Sequence, residues 1–548
     1  MRGLRALGVL AFAAVGLSAW GSSVQDAPQT GHYGPEVAPG DSGTARFTGV
    51  LYDEFAAEAA MDVVRYVDGF YRAPGNDGYD ASLDRVRERL TAAGFGEREG
   101  FELDEIRTPL RSPAWTPVSG SFEVKIPGGD WESLHAFDAP GDPDRVMLPI
   151  NAPSADVEGT LVLDAEKVGA GTVFVGEAGL GGRAVAAHAK RGAVAVVSAS
   201  IAGFTRDPSG GDAHLDAIQF RSVSRSVATP VAQISPRTLA RLRALAEEHE
   251  GVRVRLRSQV TWKETGELRT LVARVLGATH PTEAVAIASH VQEPGAGDNA
   301  SGVGGMCEAA SALARAVRKG ALDRPARTIV FLWGDEMRQS AIWLDATERT
   351  VIAGISADML GQSRDATGAR CLLERSPDPG ALDTLPPDEH TPWGAGPVKE
   401  EDLVPNGLSL VARSALVDVA RHVGGWHTSE NPWEGGSDHD VFLREGVPGI
   451  LMWHFTDFTY HTGLDRLDRL DSEELRRTSS AVLATALCLA DLRGGDLERL
   501  RASNVLERDL RVAAALEAER PDVAKRWREW CRGVEVWLAA TAVDAAGD

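Results

Sequence analysis

From about residue 268 onward, short apolar-rich, strand-like runs alternate with stretches of helical period, and most of these runs lead into a histidine or a carboxylate. The strand-like runs are LRTLVARVLG, EAVAIAS, ARTIVFLW, VIAGISA and GILMWHF. Between and after them lie NASGVGGMCEAASALARAVRKG, QSAIWLDATERT, LSLVARSALVDVARHV and EELRRTSSAVLATALCLADL, each apolar at three- and four-residue spacing. A strand that is apolar at every position is buried on both faces, so helices must cover both sides of its sheet. The pattern predicts an α/β fold over 263–493, with a mostly parallel, mixed sheet flanked by helices.

The remaining chain of 548 residues is long enough for further domains. Residues 49–114 read as an N-terminal helical part of the same domain, with YDEFAAEAAMDVVRYVDGFY and YDASLDRVRERLTAAGF joined by the loop RAPGND. Residues 115–262 change to short strand-like runs interrupted by two helices, the second opening on the cap pair Ser235 and Pro236. No acid, base or nucleophile constellation stands out there, so this segment reads as a β-rich, non-catalytic insert. Residues 494–548 carry only helical patterns and read as a C-terminal extension; residues 362–408, with PDPG, LPPDEH and TPWGAGP, read as a long loop near the site.

The first 22 residues combine two arginines, an apolar run well short of a membrane span and small residues, which predicts an export signal and a periplasmic or secreted location. Trp20 stands where a lipoprotein signal would carry cysteine, so no lipid anchor is expected. Residues 23–48, rich in Gly, Pro and polar residues, read as a flexible linker. The net charge of −22, without long single-sign blocks, argues against nucleic acid and anionic membrane surfaces as partners. The four cysteines match no zinc-ribbon spacing; one disulfide is possible in an exported chain, with no pair indicated.

In open α/β sheets the working site lies beyond the carboxyl ends of the strands. EAVAIAS leads to His290 and then Asp298, IVFLW to Asp335 and Glu336, VIAGISA to Asp358, and GILMWHF to His461. Each residue alone has an ordinary explanation. Asp298 could cap the following helix, and Asp358 could be a solvated strand end. Together they form the imidazole and carboxylate set that zinc takes, and crowded carboxylates usually call for a bound dication.

The motifs resemble those of the clan MH zinc aminopeptidases, the family that includes carboxypeptidase Q and the transferrin-receptor ectodomain. GAGDNASG (295–302), WGDEM (333–337), ADM (357–359), SDH (437–439) and YHT (460–462) occur in the family's order. The resemblance also suggests that the β-rich insert is a protease-associated (PA) domain. It implies one or two Zn2+ ions: His290, Asp298 and Asp358 around one, with Asp298 bridging to a second also held by His461. It further implies a peptide substrate attacked by a metal-activated water, with a carboxylate as general base.

Two departures from the family pattern stand out. The family's HxD is His290-Val291-Gln292 here, and its paired glutamates are replaced by Asp335-Glu336-Met337. A gapless register makes Glu336 the base and puts Met337, a soft thioether, in a metal-ligand place. A shift by one makes Asp335 the base and Glu336 the ligand; the gapless register is favoured because it keeps IVFLW in phase. The resemblance offers Asp438 and His439 as supporting or substrate-amine contacts, with a turn role as the alternative. His454 reads as a packed strand residue, and Glu293 receives no role.

These readings predict an exported zinc-dependent exopeptidase, an aminopeptidase for short peptides. The rivals are a single-zinc glutaminyl cyclotransferase and a catalytically inactive binding ectodomain.

Overall fold

The computed structural model describes residues 31–543, so the expected export signal and Trp20 lie outside the described residues. Nine strands make the main sheet: β1 (Gly31–Tyr33), β2 (Phe101–Pro109), β3 (Glu267–Val275), β4 (His280–His290), β5 (Arg327–Gly334), β6 (Thr350–Ala357), β7 (Arg370–Glu374), β8 (His427–Asn431) and β9 (Gly449–Phe455). Their order is β1-β8-β7-β9-β6-β4-β5-β3-β2. The central strands β5, β4, β6 and β9 run parallel, while β3 and β2 on one side and β7 against β9 are antiparallel.

Strand β4 shows why the run EAVAIAS folds at the centre. Val285 and Ile287 face the main core, while Ala284, Ala286 and Ala288 face a second cluster with Trp343 and Phe442. Burial on both faces removes any advantage from alternation. Its neighbours β5 and β6 lie on opposite sides, so the chain reverses its direction of winding at β4 and opens a crevice beyond its carboxyl end.

The helix that follows, Ala300–Lys319, is capped by Asn299, whose side chain accepts from the Gly302 amide at 3.0 Å. Its glycines allow close packing rather than a bend. A Cβ at Gly302 would stand 2.6 Å from the Ala357 carbonyl oxygen, and one at Gly304 would stand 2.7 Å from that of Ala60. The lost helix propensity, about 1 kcal/mol per glycine, is exchanged for seating the helix hard against β6 and against the helix Ala57–Asp68.

Several expectations need correction. Part of the expected linker is built structure: β1 pairs with β8, the Ala38 amide donates to Ser503 Oγ at 3.0 Å, and the first helix already begins at Ala45. The expected long loop at 362–408 contains β7, an inner strand of the sheet. Strands β2 and β8 were not anticipated. All four cysteines are buried and free.

Residues Ala114–Lys263 form a separate seven-stranded sheet with its own hydrophobic core. At the other end of the chain, helices Gly494–Glu517 and Pro521–Thr541 pack on the main core. Among the described residues no helix is long and apolar enough to cross a membrane.

A buried ionic cluster fastens the helix Gly494–Glu517 to the sheet. Glu430 on β8 accepts from Arg375 at 3.0 Å, Arg413 at 2.7 Å and Arg511 at 2.9 Å. Burial alone would raise the pKa of Glu430, but Arg413 and Arg375 outweigh it and hold the group well below the usual carboxylate range. A depressed folded pKa stabilises the protein above the unfolded carboxylate value and loses that contribution as pH falls through the folded one. Glu430→Gln should therefore cost about 3–5 kcal/mol at neutral pH, read as a lower urea midpoint, with the gap to wild type narrowing in acid. An unchanged midpoint would mean that the other acids of the cluster, Asp378 and Asp388 on Arg375 and Glu507 on Arg413, suffice to hold these guanidiniums.

Candidate metal centre

The crevice beyond β4 gathers residues from four chain segments. His290 closes β4 and is 1% exposed. Its Nε2 lies 3.2 Å from Asp358 Oδ2 and 3.5 Å from Asp298 Oδ1. Its Nδ1 faces the Gln292 carbonyl oxygen at 3.2 Å, which fixes the ring so that Nε2 points inward. The side chain of Gln292 thus does not orient the imidazole; its backbone does.

Asp298 is the hinge of the arrangement. One carboxylate oxygen faces His290, and the other lies 3.0 Å from His461 Nε2. The amides of Gly297 and Asp298 donate to Asp465 at 2.6 and 2.9 Å, which holds the loop in place. Asp358 follows β6 and accepts from Ser437 Oγ at 3.1 Å, while its Oδ1 is buried without a partner.

His461 also faces Glu293 Oε2, at 2.7 Å. Two triads result, His290-Asp298-Asp358 and Glu293-Asp298-His461, and within each the potential ligand atoms lie within 4.8 Å of one another. Glu293, which sequence reasoning passed over, is thus part of the cluster. The available signal was an acid inside the EPGAG loop between two expected ligands.

Glu336 stands outside both triads, with Oε1 3.8 Å from His290 Nε2. Gln292 grips it twice: its Nε2 donates to Glu336 Oε2 at 3.3 Å, and its Oε1 accepts the Glu336 amide at 2.7 Å. Asp335 turns elsewhere. It is 7% exposed, pairs with Arg338 at 3.0 Å and does not line the cleft, contrary to its expected candidacy as base.

Asp438 and His439 are fully buried and neither lines the cleft, so they are not substrate-amine contacts; of the two expected roles Asp438 takes the supporting one. Asp438 accepts from the Met337 amide, Gln339 and Ser340 at 3.0, 2.8 and 2.6 Å, bracing the corner that carries Glu336. His439 pairs with Glu374 at 2.9 Å. From the SDH motif it is Ser437 that reaches the cluster. His454 is buried between the Met359 carbonyl oxygen and Glu474, at 2.7 and 3.0 Å.

The electrostatics ask for a cation. Burial opposes charge on His290, yet Asp358 and Glu336 together raise its pKa well above an ordinary histidine. Burial likewise opposes charge on His461, and Glu293 with Asp298 outweighs it. Burial, reinforced by Glu293, raises Asp298 well above the usual carboxylate range. Four carboxylates and two imidazoles can share this space only by taking up protons or a metal. The mixed nitrogen and oxygen donors, with the orphaned Asp358 oxygen, fit a dication of the zinc type.

Above the cluster lies a cleft of about 370 Å3 walled by Phe204, Phe220, Trp393, Trp453 and Tyr460. Phe204 and Phe220 come from the inserted domain. The Phe220 amide and Gln219 Nε2 each donate to the His461 carbonyl oxygen at 2.7 Å, so the insert is stitched to the ligand loop. A larger groove beside Pro377, Trp433 and Leu443 contains none of the triad residues.

A buried acid and imidazole cluster at the carboxyl edge of such a sheet is a setting for metal-dependent hydrolysis, and the family comparison supports a metallopeptidase. Residues 270–369 and 404–486 match the model of Peptidase family M28. The two matched segments carry His290, Asp298, Asp358 and His461, so the resemblance to that family falls on the α/β domain and its metal centre. A Peptidase M28 precursor from Shewanella amazonensis SB2B is similar in structure, with 16% identity, coverage of 82% of this chain and 96% of that one, and a TM-score of 0.54. A structure from Clostridium acetobutylicum is 12% identical over 91% and 99%, with a TM-score of 0.51. The zinc aminopeptidase BSAP from Bacillus subtilis is 15% identical over 79% and 94%, with a TM-score of 0.49. The first two share the fold. No curated protein sequence matches the chain.

Proposed function

We propose that this protein is an exported, zinc-dependent aminopeptidase that removes N-terminal residues from short peptides. The observation that carries the reading is the pair of triads sharing Asp298, with Glu336 poised beside them under a roofed aromatic cleft. The basic and apolar N-terminal stretch supports export.

His290, Asp298 and Asp358 would hold one zinc ion, and Asp298 with His461 would take part in a second. Zinc at this place supplies Lewis acidity toward a peptide carbonyl and lowers the pKa of water. Glu336 takes the proton of the attacking water and passes it to the departing amine. Gln292 orients that carboxylate without neutralising it. Without a cation, burial opposed by His290 raises the pKa of Glu336 well above that of a free carboxylate, and a bound cation would lower it again toward the range a general base needs.

The aromatic walls and the insert, which we read as a PA-like lid, shape the cleft for a chain end rather than a chain middle. Aminoacyl anilides should be cleaved at least about 100-fold more efficiently than an N-blocked, internally quenched peptide, because blocking the amine removes a charge the acidic cleft can pair. Preference for the blocked peptide would overturn the exopeptidase assignment. A pyroglutamyl product from N-terminal glutamine, with no free amino acid released, would favour a cyclotransferase instead.

A further inference from the structure

We propose that Glu293 is a carboxylate ligand of the second metal position, supplied from the β4 loop in place of the acid missing at Met337. This rests on the zinc reading above and adds to it.

Register alone leaves the second ion with Asp298 and His461 as its protein ligands. Met337 offers only a thioether, and its backbone amide is committed to Asp438 at 3.0 Å. The side chain that meets His461 and Asp298 is Glu293, whose Oε2 lies 2.7 Å from His461 Nε2. With Glu293 included, the two triads have equal composition: each has one imidazole, one carboxylate of its own and the shared Asp298. Hard oxygen and imidazole donors then surround both positions, which a thioether would not provide.

The backbone around Glu293 is built to hold this placement. Glu293 has φ 86°, a left-handed conformation that side-chain-bearing residues rarely adopt. Glycine would relieve that strain but could not reach the site. The loop is fixed by two fully buried arginines. Arg72 donates to the carbonyl oxygens of Val291 and Gly295 at 2.8 and 2.7 Å, and its own carbonyl oxygen accepts the Glu293 amide at 3.0 Å. Arg145, from the insert, donates to the Pro294 carbonyl oxygen and to Asp68. A carboxylate held so rigidly is preorganised for a ligand rather than free to follow solvent.

The alternative is that Glu293 only forms an ion pair with His461, and metal counting separates the two. Full-length protein is stripped of metal, titrated with Zn2+ by calorimetry and assayed by elemental analysis, with melting of the metal-free forms reporting the fold. Wild type should bind two ions. Glu293→Gln should retain the first at similar affinity and lose at least about 100-fold in affinity for the second. Glu293→Asp, which keeps the charge on a shorter arm, should bind both ions with only the second weakened, and it serves as the test should the glutamine variant fail to fold. Unchanged affinity for two ions in these variants would overturn the proposal, and so would a single ion in wild type. A wild type that binds no zinc at all would remove the zinc reading as well.

Discussion

Glu336→Gln should lower kcat by roughly 10²- to 10⁴-fold, the usual contribution of a positioned general base, while metal content should stay at the wild-type value. The side chain lies farther from His290 than either triad carboxylate does, at 3.8 Å against 3.5 and 3.2 Å, and it lines the open cleft. An amide of the same shape keeps the volume and one hydrogen-bond acceptor but cannot accept the water's proton. Steady-state kinetics paired with elemental analysis decides the matter. Loss of an ion together with activity would show that Glu336 is a ligand rather than the base.

Asp298→Asn should be more damaging still, because one carboxylate serves both metal positions. We expect loss of both ions at micromolar zinc and activity at background. Thermal unfolding gives a second readout. A wild type held at 100 times its dissociation constant gains about 2.7 kcal/mol from binding, whereas the variant should show the same melting temperature with and without zinc. The fold should persist without metal, since the loop is also held by Asp465 and Arg72. A variant that still binds two ions would remove Asp298 from its bridging position.

The central strands and their chemistry were legible in the sequence because burial on both faces leaves continuous apolar runs, and the groups that follow such runs must sit at the sheet's edge. Strand β8 was not legible, since HTSEN carries almost no apolar signal. Its polarity is accommodated by arginines from distant helices, which sequence-local patterns cannot reveal. Strand β2, FELDEIRTP, hid for a related reason. It is an edge strand whose charges are matched by Arg269 and Arg274 on β3. In the site, Glu293 escaped notice because its partner His461 lies 168 residues away, brought near only when β9 pairs beside β6. Asp438 and His439 misled as substrate contacts for the opposite reason. A motif fixes which residues recur together, but not which of them faces the cavity.

Arg145 belongs to the inserted domain, yet its guanidinium ends on the carbonyl oxygen next to Glu293. The roof of the cleft is thereby also a foundation for the metal loop. Trimming that domain to admit bulkier substrates would withdraw a support from beneath the cations, so appetite for larger chains and command of the second ion cannot be engineered independently.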